Sequence, residues 1–450
     1  MDIIIRNAHI INEGKILVAD VWITGKRIEK IAPIIGLPIG KNYREINAQG
    51  LHLMPGVIDG HVHFREPGLT CKGTIFSESM AAVAGGITSY MDMPNTLPNT
   101  LTSELLEEKY FIASQKSYAN YSFFMGITKN NLEEVLKTNT EMVCGISDDG
   151  LYFDNKEGRL ANAPSFLEKL FSRVNTLVAL HCENDALIKK NTVRYREIYG
   201  DDIPFSYHAA IRSVKACLLA TETVIDIAKK HDTHLHLLHL STHAEASLLD
   251  NKIPATQKRI TAEACIPHLV FSDRDYELLG NQIKWNPAVK TEKDRTGLLR
   301  SLIADRLDMI ATDHAPHTIE EKNGNYFQVR PGGPLVQHAL PAMLELYHRG
   351  EISLEKIVEK MSHRIADIYR IRERGYIREG YYADIALLNM NHPWKVTPHN
   401  LLYQCNWSPF MGRVFRSCIT HTFVNGNLVY ANGKMLDETR GERLKFEKNR

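Results

Sequence analysis

Pro55-Gly-Val-Ile-Asp-Gly-His-Val-His-Phe-Arg-Glu-Pro-Gly68 carries two histidines one residue apart and an arginine two residues further on. In an extended strand, residues two apart share a face, so His61 and His63 project together while Val62 turns away. Two imidazoles on one face can grip one divalent ion. Alone, such a pair is equally at home decorating a strand end. The lead-in residues Leu53, Met54, Val57 and Ile58 give way abruptly to charge, as a buried parallel strand does where it opens into a catalytic mouth.

Four further stretches end in residues of ligand type. Leu177-Val-Ala-Leu-His181-Cys-Glu183 runs an apolar strand into a histidine, and the run around Leu235 offers His234, His236 and His239, among which spacing does not choose. Thr312-Asp313-His-Ala-Pro-His317 places a carboxylate directly after an apolar strand, and Gly145-Ile-Ser-Asp148-Asp149-Gly150 offers two more. Singly, each fits a hydrogen-bonded strand end or a turn. Together, four histidines and at least two aspartates suit Zn²⁺ or a similar ion. Six ligands are too many for one tetrahedral zinc, so the set implies two ions sharing a bridging carboxylate and a bridging hydroxide. Such a site lowers the pKa of water from 15.7 to about 7, which is the equipment of a hydrolase.

Convergence requires an architecture that gathers strand ends. From Pro55 onward, apolar segments alternate with helical ones, the pattern of a parallel α/β fold. Strands are expected at 56–61, 88–93, 142–147, 177–181, 234–240, 261–270 and 309–312, with helices at 77–84, 103–114, 214–230 and 335–348. The repeated polar strand endings predict a (β/α)₈ barrel over 55–370 with its site at the C-terminal rim. Residues 1–54 read as short strands and turns, and β texture returns beyond Ile371, where Val424-Asn-Gly-Asn-Leu428 is a hairpin signal. Segments 1–54 and 371–450 are expected to meet in one small β-domain. The charged tail 440–450 reads as frayed.

Composition narrows the partners. A formal charge of +1 over 450 residues gives no support for nucleic acid or an acidic membrane as partner. No apolar run is long enough to span a bilayer and Met-Asp-Ile-Ile-Ile-Arg lacks a basic region followed by a long apolar core, so the expected compartment is cytoplasmic. The seven cysteines are scattered without a Cys-x-x-Cys pair, which argues against a disulfide framework or a thiolate-bound structural zinc.

Asp59-Gly-His-Val-His-Phe-Arg-Glu-Pro-Gly68, Met93-Pro-Asn95-Thr96, Ser147-Asp-Asp-Gly150, His181-Cys-Glu183, His239-Leu-Ser-Thr242 and Thr312-Asp-His-Ala-Pro-His317 resemble the amidohydrolase superfamily, and within it the class I dihydroorotases, over nearly the whole chain. The resemblance implies interconversion of N-carbamoyl-L-aspartate and L-dihydroorotate in pyrimidine biosynthesis. It implies that His61, His63 and Asp313 hold one zinc and His181 and His239 the other, with His239 chosen by its His-x-Ser-Thr context. Asp313 would also be the general base. Arg65, Asn95 and His317 would hold the substrate carboxylate, for which a guanidinium fork is the best physical match. His63 and Asn286 would also meet the substrate, and Pro331-Gly332 would belong to a mobile segment over it, preceded by a lid at 318–330. Many relatives bridge the metals with a carboxylated lysine. None is expected here, where the 145–155 loop is shortened and the family's Thr-Asp-Asp-Gly variant points to Asp149 as the bridge, with Asp148 as the alternative. A homodimer acting on a small molecule is the implied assembly. An allantoinase- or hydantoinase-type enzyme and a catalytically silent partner protein are the competing readings.

Overall fold

The computed structural model describes residues 2–36, 42–153, 158–436 and 440–448. Eight parallel strand positions form a (β/α)₈ barrel. They are Val57–Val62, Ile87–Asp92, Asn120–Phe123 continuing as Met125–Gly126, Ile146–Ser147, Val178–Leu180, Leu235–Leu237, Ile260–Cys265 and Met309–Ala311. Every residue of these strands is buried except Ile260, as expected for a parallel sheet covered on both sides. Closure comes from the last strand meeting the first, with Asp313 N–H donating to the His61 carbonyl (3.1 Å) and His63 N–H to the His314 carbonyl (2.8 Å).

The surrounding helices begin where side chains replace missing backbone acceptors. Thr74, Thr102, Ser213 and Thr291 cap Ile75–Ala84, Ser103–Lys116, Val214–His231 and Glu292–Ile303 in this way. Ile58, Met91, Phe124, Ala179, Cys265 and Met309, drawn from six strand positions, pack together inside the barrel.

Both chain ends build the flanking β-domain. Five strands from Asp2 to Pro55 join Ile385–Asn389, Cys418–Val424, Asn427–Ala431 and Lys434–Met435 in one nine-stranded sheet. The seam is the antiparallel pairing of Ile385 with Pro55 and its neighbours. Asn425 and Gly426 take φ of 50° and 76°, the positive values a tight hairpin turn requires.

Several element expectations need correcting, among them the 234–240 strand, which shortens to Leu235–Leu237. The 261–270 strand stops at Cys265 and becomes the short helix Ile266–Val270, with Pro267 in its first turn, where the missing N–H costs nothing. The 142–147 strand shrinks to Ile146–Ser147, and the 335–348 helix starts only at Ala339. The third barrel strand, Asn120–Gly126, was not expected at all, since Asn-Tyr-Ser-Phe-Phe-Met-Gly has neither a β-branched run nor alternation. The tail is ordered rather than frayed. Leu444 and Phe446 alternate into the barrel floor, fully buried against Ile58, Met309 and Tyr369, and Leu444 N–H donates to the Tyr121 carbonyl at 2.9 Å. Residues 449–450 of that tail and 154–155 of the shortened loop lie outside the described residues. Among the described residues, no helix is long and apolar enough to cross a membrane.

Candidate active site

The ligand-type residues gather at the C-terminal rim, and the first strand needs a fault to deliver them. Ile58 faces the barrel interior, and a side chain added at Gly60 would lie 2.6 Å from Met309 Cε, so strict alternation would aim His61 outward. An irregular register between Asp59 and Val62 changes the parity. Thereafter Val62 packs into the outer cluster while His61 and His63 turn toward the same carboxylate. Three other departures follow at strand ends, where Arg65, His239 and Asp313 take φ of 69°, 35° and 51°. Left-handed backbone at non-glycine residues costs about 1–3 kcal/mol each and concentrates at functional sites.

Asp149 is the centre of the cluster. Its Oδ2 lies 3.2 Å from His61 Nε2 and 3.3 Å from His63 Nε2, while its Oδ1 lies 3.3 Å from His181 Nδ1 and 3.7 Å from His239 Nε2. Asp313 Oδ1 adds a second carboxylate on one side only, 3.3 Å from His63 Nε2 and 3.6 Å from His61 Nε2. Asp148 turns away and accepts the backbone N–H groups of His181 (3.2 Å) and Leu160 (3.0 Å). One triplet of possible ligand atoms comes from His61, His63 and Asp149, and another from Asp149, His181 and His239, each within 4.8 Å.

This donor set fits two divalent ions sharing one carboxylate. His239 is 1 % exposed and neither ring nitrogen has a hydrogen-bond partner, a costly state for a buried imidazole unless something else engages it. No lysine occurs in the Gly145–Gly150 stretch.

Of the residues that hold these ligands from behind, Glu263 and Glu183 had no assigned role in the sequence, and Asn95 was expected at the substrate instead. His61 Nδ1 pairs with Glu263 Oε1 at 2.6 Å, His63 Nδ1 with Asn95 Oδ1 at 2.7 Å, and His181 Nε2 with Glu183 Oε2 at 2.6 Å. Each contact fixes which nitrogen is left for the cluster. Glu263 also faces His236 Nε2 at 3.2 Å, which places His236 behind the cluster and His239 within it. Glu183 is balanced by Arg212 at 2.7 Å and Arg159 at 3.6 Å. Asp59 accepts from the Thr312 hydroxyl (2.6 Å) and backbone N–H (3.1 Å), clamping first strand to last. A carboxylate in the apolar run Thr261-Ala-Glu-Ala-Cys265 was the available signal for Glu263.

Burial opposes the charge on Asp149, yet the surrounding imidazoles hold its carboxyl well below the usual range. Burial likewise opposes protonation of His61 and His63, yet Glu263 and Asp149 raise His61 and the carboxylates Asp149 and Asp313 raise His63. His181 goes the other way, lowered by burial and by Arg159. These carboxylates favour a positive charge beside His61 and His63. A metal would supply that charge in place of a proton, because a ligating imidazole must be neutral.

A cavity of about 210 Å³ opens onto the cluster, lined by His63, Asp149 and Asp313 on one side and by Arg65, Asn95, Asn286, His317, Pro331 and Gly332 on the other. All nine were singled out in the sequence. Lys72, Tyr152 and Trp285 also line it, none of them anticipated, and so does Arg330, the end of the expected lid. Arg65 is buried, donating through Nε to the Pro316 carbonyl (3.1 Å) and through a terminal nitrogen to His317 Nε2 (3.3 Å). The Asn286 side-chain oxygen is buried without a partner. Gly150 takes φ 72°, and a Cβ there would sit 2.0 Å from the Asn95 amide, so only glycine lets Asn95 reach His63. Segment 318–330 reaches the cavity through Arg330. Buried Lys322 ties it by donating to the Arg330 and Gly332 carbonyls, both 2.9 Å, and Lys284 donates to the Tyr326 and Val329 carbonyls.

Residues 52–429 match the model of the amidohydrolase family. The chain is 32 % identical over 388 residues to a dihydroorotase of Methanosphaera stadtmanae, covering 84 % of this chain and 85 % of that one. It is 28 % identical over 449 residues to an allantoinase of Desulfitobacterium hafniense, covering 99 % and 98 %. Its fold superposes on an L-hydantoinase from Arthrobacter aurescens with a TM-score of 0.91 at 24 % identity, covering 99 % of both chains. The chain belongs to the amidohydrolase family.

Proposed function

We propose that this amidohydrolase-family chain is a zinc-dependent dihydroorotase, opening and closing the ring amide between L-dihydroorotate and N-carbamoyl-L-aspartate. The observation that carries the reading is the buried guanidinium of Arg65, beside His317 and Asn95, in the cavity that also exposes Asp149 and Asp313. A guanidinium in a concave, partly apolar pocket selects a planar carboxylate, and dihydroorotate carries one on its ring. Allantoin and hydantoin carry none, so the allantoinase and hydantoinase likenesses favour the shared ring-amide chemistry rather than the same substrate.

Two Zn²⁺ ions held by His61, His63, Asp313, His181 and His239 and shared through Asp149 would supply a nucleophilic water near neutral pH and polarise the scissile carbonyl. Asp313 takes the proton released in ring opening and delivers it to the leaving ring nitrogen. A carboxylate at the rim of both cluster and cavity can exchange partners without moving far. Arg65, Asn95 and His317 fix the ring acid, and Asn286, Pro331 and Gly332 border the ring face.

Turnover of L-dihydroorotate, hydantoin and allantoin by purified protein, with zinc counted per chain, tests this. The expected result is dihydroorotate turnover with about two zinc ions. Hydantoin or allantoin turnover without dihydroorotate turnover would overturn the substrate. Protein that stays metal-free and inactive after zinc supplementation would support the silent partner. Light scattering tests the expected homodimer.

A further inference from the structure

Glu321, in the short turn Glu320–Lys322, reaches out of segment 318–330 into the cavity wall. Its Oε1 lies 2.8 Å from Lys72 Nζ and its Oε2 3.0 Å from His317 Nδ1. Its carbonyl accepts Arg330 N–H at 3.0 Å, so the same residue closes the loop that presents Arg330 to the cavity. We propose that Glu321 is a positioning residue that couples the 318–330 segment to carboxylate recognition by orienting His317 and Lys72 toward the ring acid. This rests on the reading of the cavity as a site for a carboxylate-bearing ring.

The donor inventory of His317 gives the coupling its content. Arg65 can only donate, so at 3.3 Å it takes the lone pair on Nε2, and the neutral ring carries its proton on Nδ1, donating to Glu321. In this state His317 offers the cavity no donor. A carboxylate arriving beside Arg65 draws the guanidinium fork to itself and frees Nε2. Lys72 Nζ also lies 3.5 Å from Nδ1, so it is Glu321 that holds the proton on Nδ1, and His317 then donates to the newcomer by taking up a second proton at Nε2. The resulting imidazolium lies between two carboxylates, one from the ligand and one from Glu321. Burial and then the positive groups facing His317, Arg65, Lys72 and Lys322, oppose a charge on the ring. Glu321 sets a negative charge against them.

Calorimetric titration with orotate in two buffers of different ionisation enthalpy reads the proton count, with uracil as the same ring lacking the carboxylate. The wild type is expected to take up close to one proton with orotate and none with uracil. Glu321→Gln is expected to lose that uptake. Its KM for dihydroorotate should rise about tenfold to a hundredfold, as befits one charged hydrogen bond, with kcat within about threefold. Glu321→Asp should recover the proton uptake, and Glu320→Gln, altering the exposed neighbour, should behave as wild type. Wild-type proton uptake and KM in Glu321→Gln would overturn the proposal. Wild-type protein that neither binds orotate nor turns over dihydroorotate would overturn the substrate reading and the proposal with it.

Discussion

The two halves of the cluster are built by different means. His61 and His63 come from one strand, two residues apart, and Asp313 and the shared Asp149 face them together. His181 and His239 come from two separate strands and share only Asp149. Behind the first half stands Glu263, whose neighbour His236 is another imidazole. Behind the second stands Glu183, already balanced by two guanidinium groups. The first half therefore holds more uncompensated negative charge, and the second leaves both ring nitrogens of His239 without a hydrogen bond, its Nε2 3.7 Å from Asp149. An ion at the first half gains more electrostatically, so stepwise loading should fill it first.

Asp149 belongs to both halves, so removing it should erase their difference. Asp149→Ala is expected to lose both ions and to lower kcat/KM at least about ten-thousandfold, because water returns toward its pKa of 15.7. Metal analysis and steady-state kinetics check this, and retention of one full ion would show that the halves stand without the bridge. Asp313→Asn touches the first half alone. Its charge and its proton-accepting role go together, and a loss of about a thousandfold in kcat is expected for a missing general base, with the second ion retained.

The unequal halves also explain what could be read in advance. His61 and His63 were legible because period-two spacing needs only one strand, although the bulge that aims them was not. His239 could not be told from His236 by spacing, and it is Glu263 on a neighbouring strand that separates them in space. Glu263 itself pairs with His61 across 202 positions of sequence, a distance that local pattern does not span. Similarly, the tail's charge concealed the alternation of Leu444 and Phe446, and the aromatic run at 120–126 lacks the β-branched residues that mark a strand.

The supporting carboxylates test the asymmetry more finely. Glu263→Gln should weaken zinc at the first half and Glu183→Gln at the second, each about tenfold to a hundredfold as outer-shell partners of metal-binding histidines do. Chelator competition on each variant distinguishes them. Glu183→Gln should also lower thermal stability more, since it leaves Arg159 and Arg212 buried without their counter-charge. Equal effects on both binding steps would show that the halves load as one unit.

The smallest effect is expected next door to the largest. Asp148 is as buried as Asp149, but both of its oxygens are engaged with backbone N–H groups, one at His181 and one at Leu160. It therefore acts on the second half only by fixing the chain that carries His181. Asp148→Asn keeps one acceptor oxygen and sets an amide N–H₂ against the other backbone donor, which costs about 1–3 kcal/mol. Full zinc content, activity within about tenfold of wild type and a lowered melting temperature are the expected outcome. Loss of one or both ions in Asp148→Asn, with Asp149→Ala retaining them, would exchange the roles of the two neighbours and move the bridge from Asp149 to Asp148.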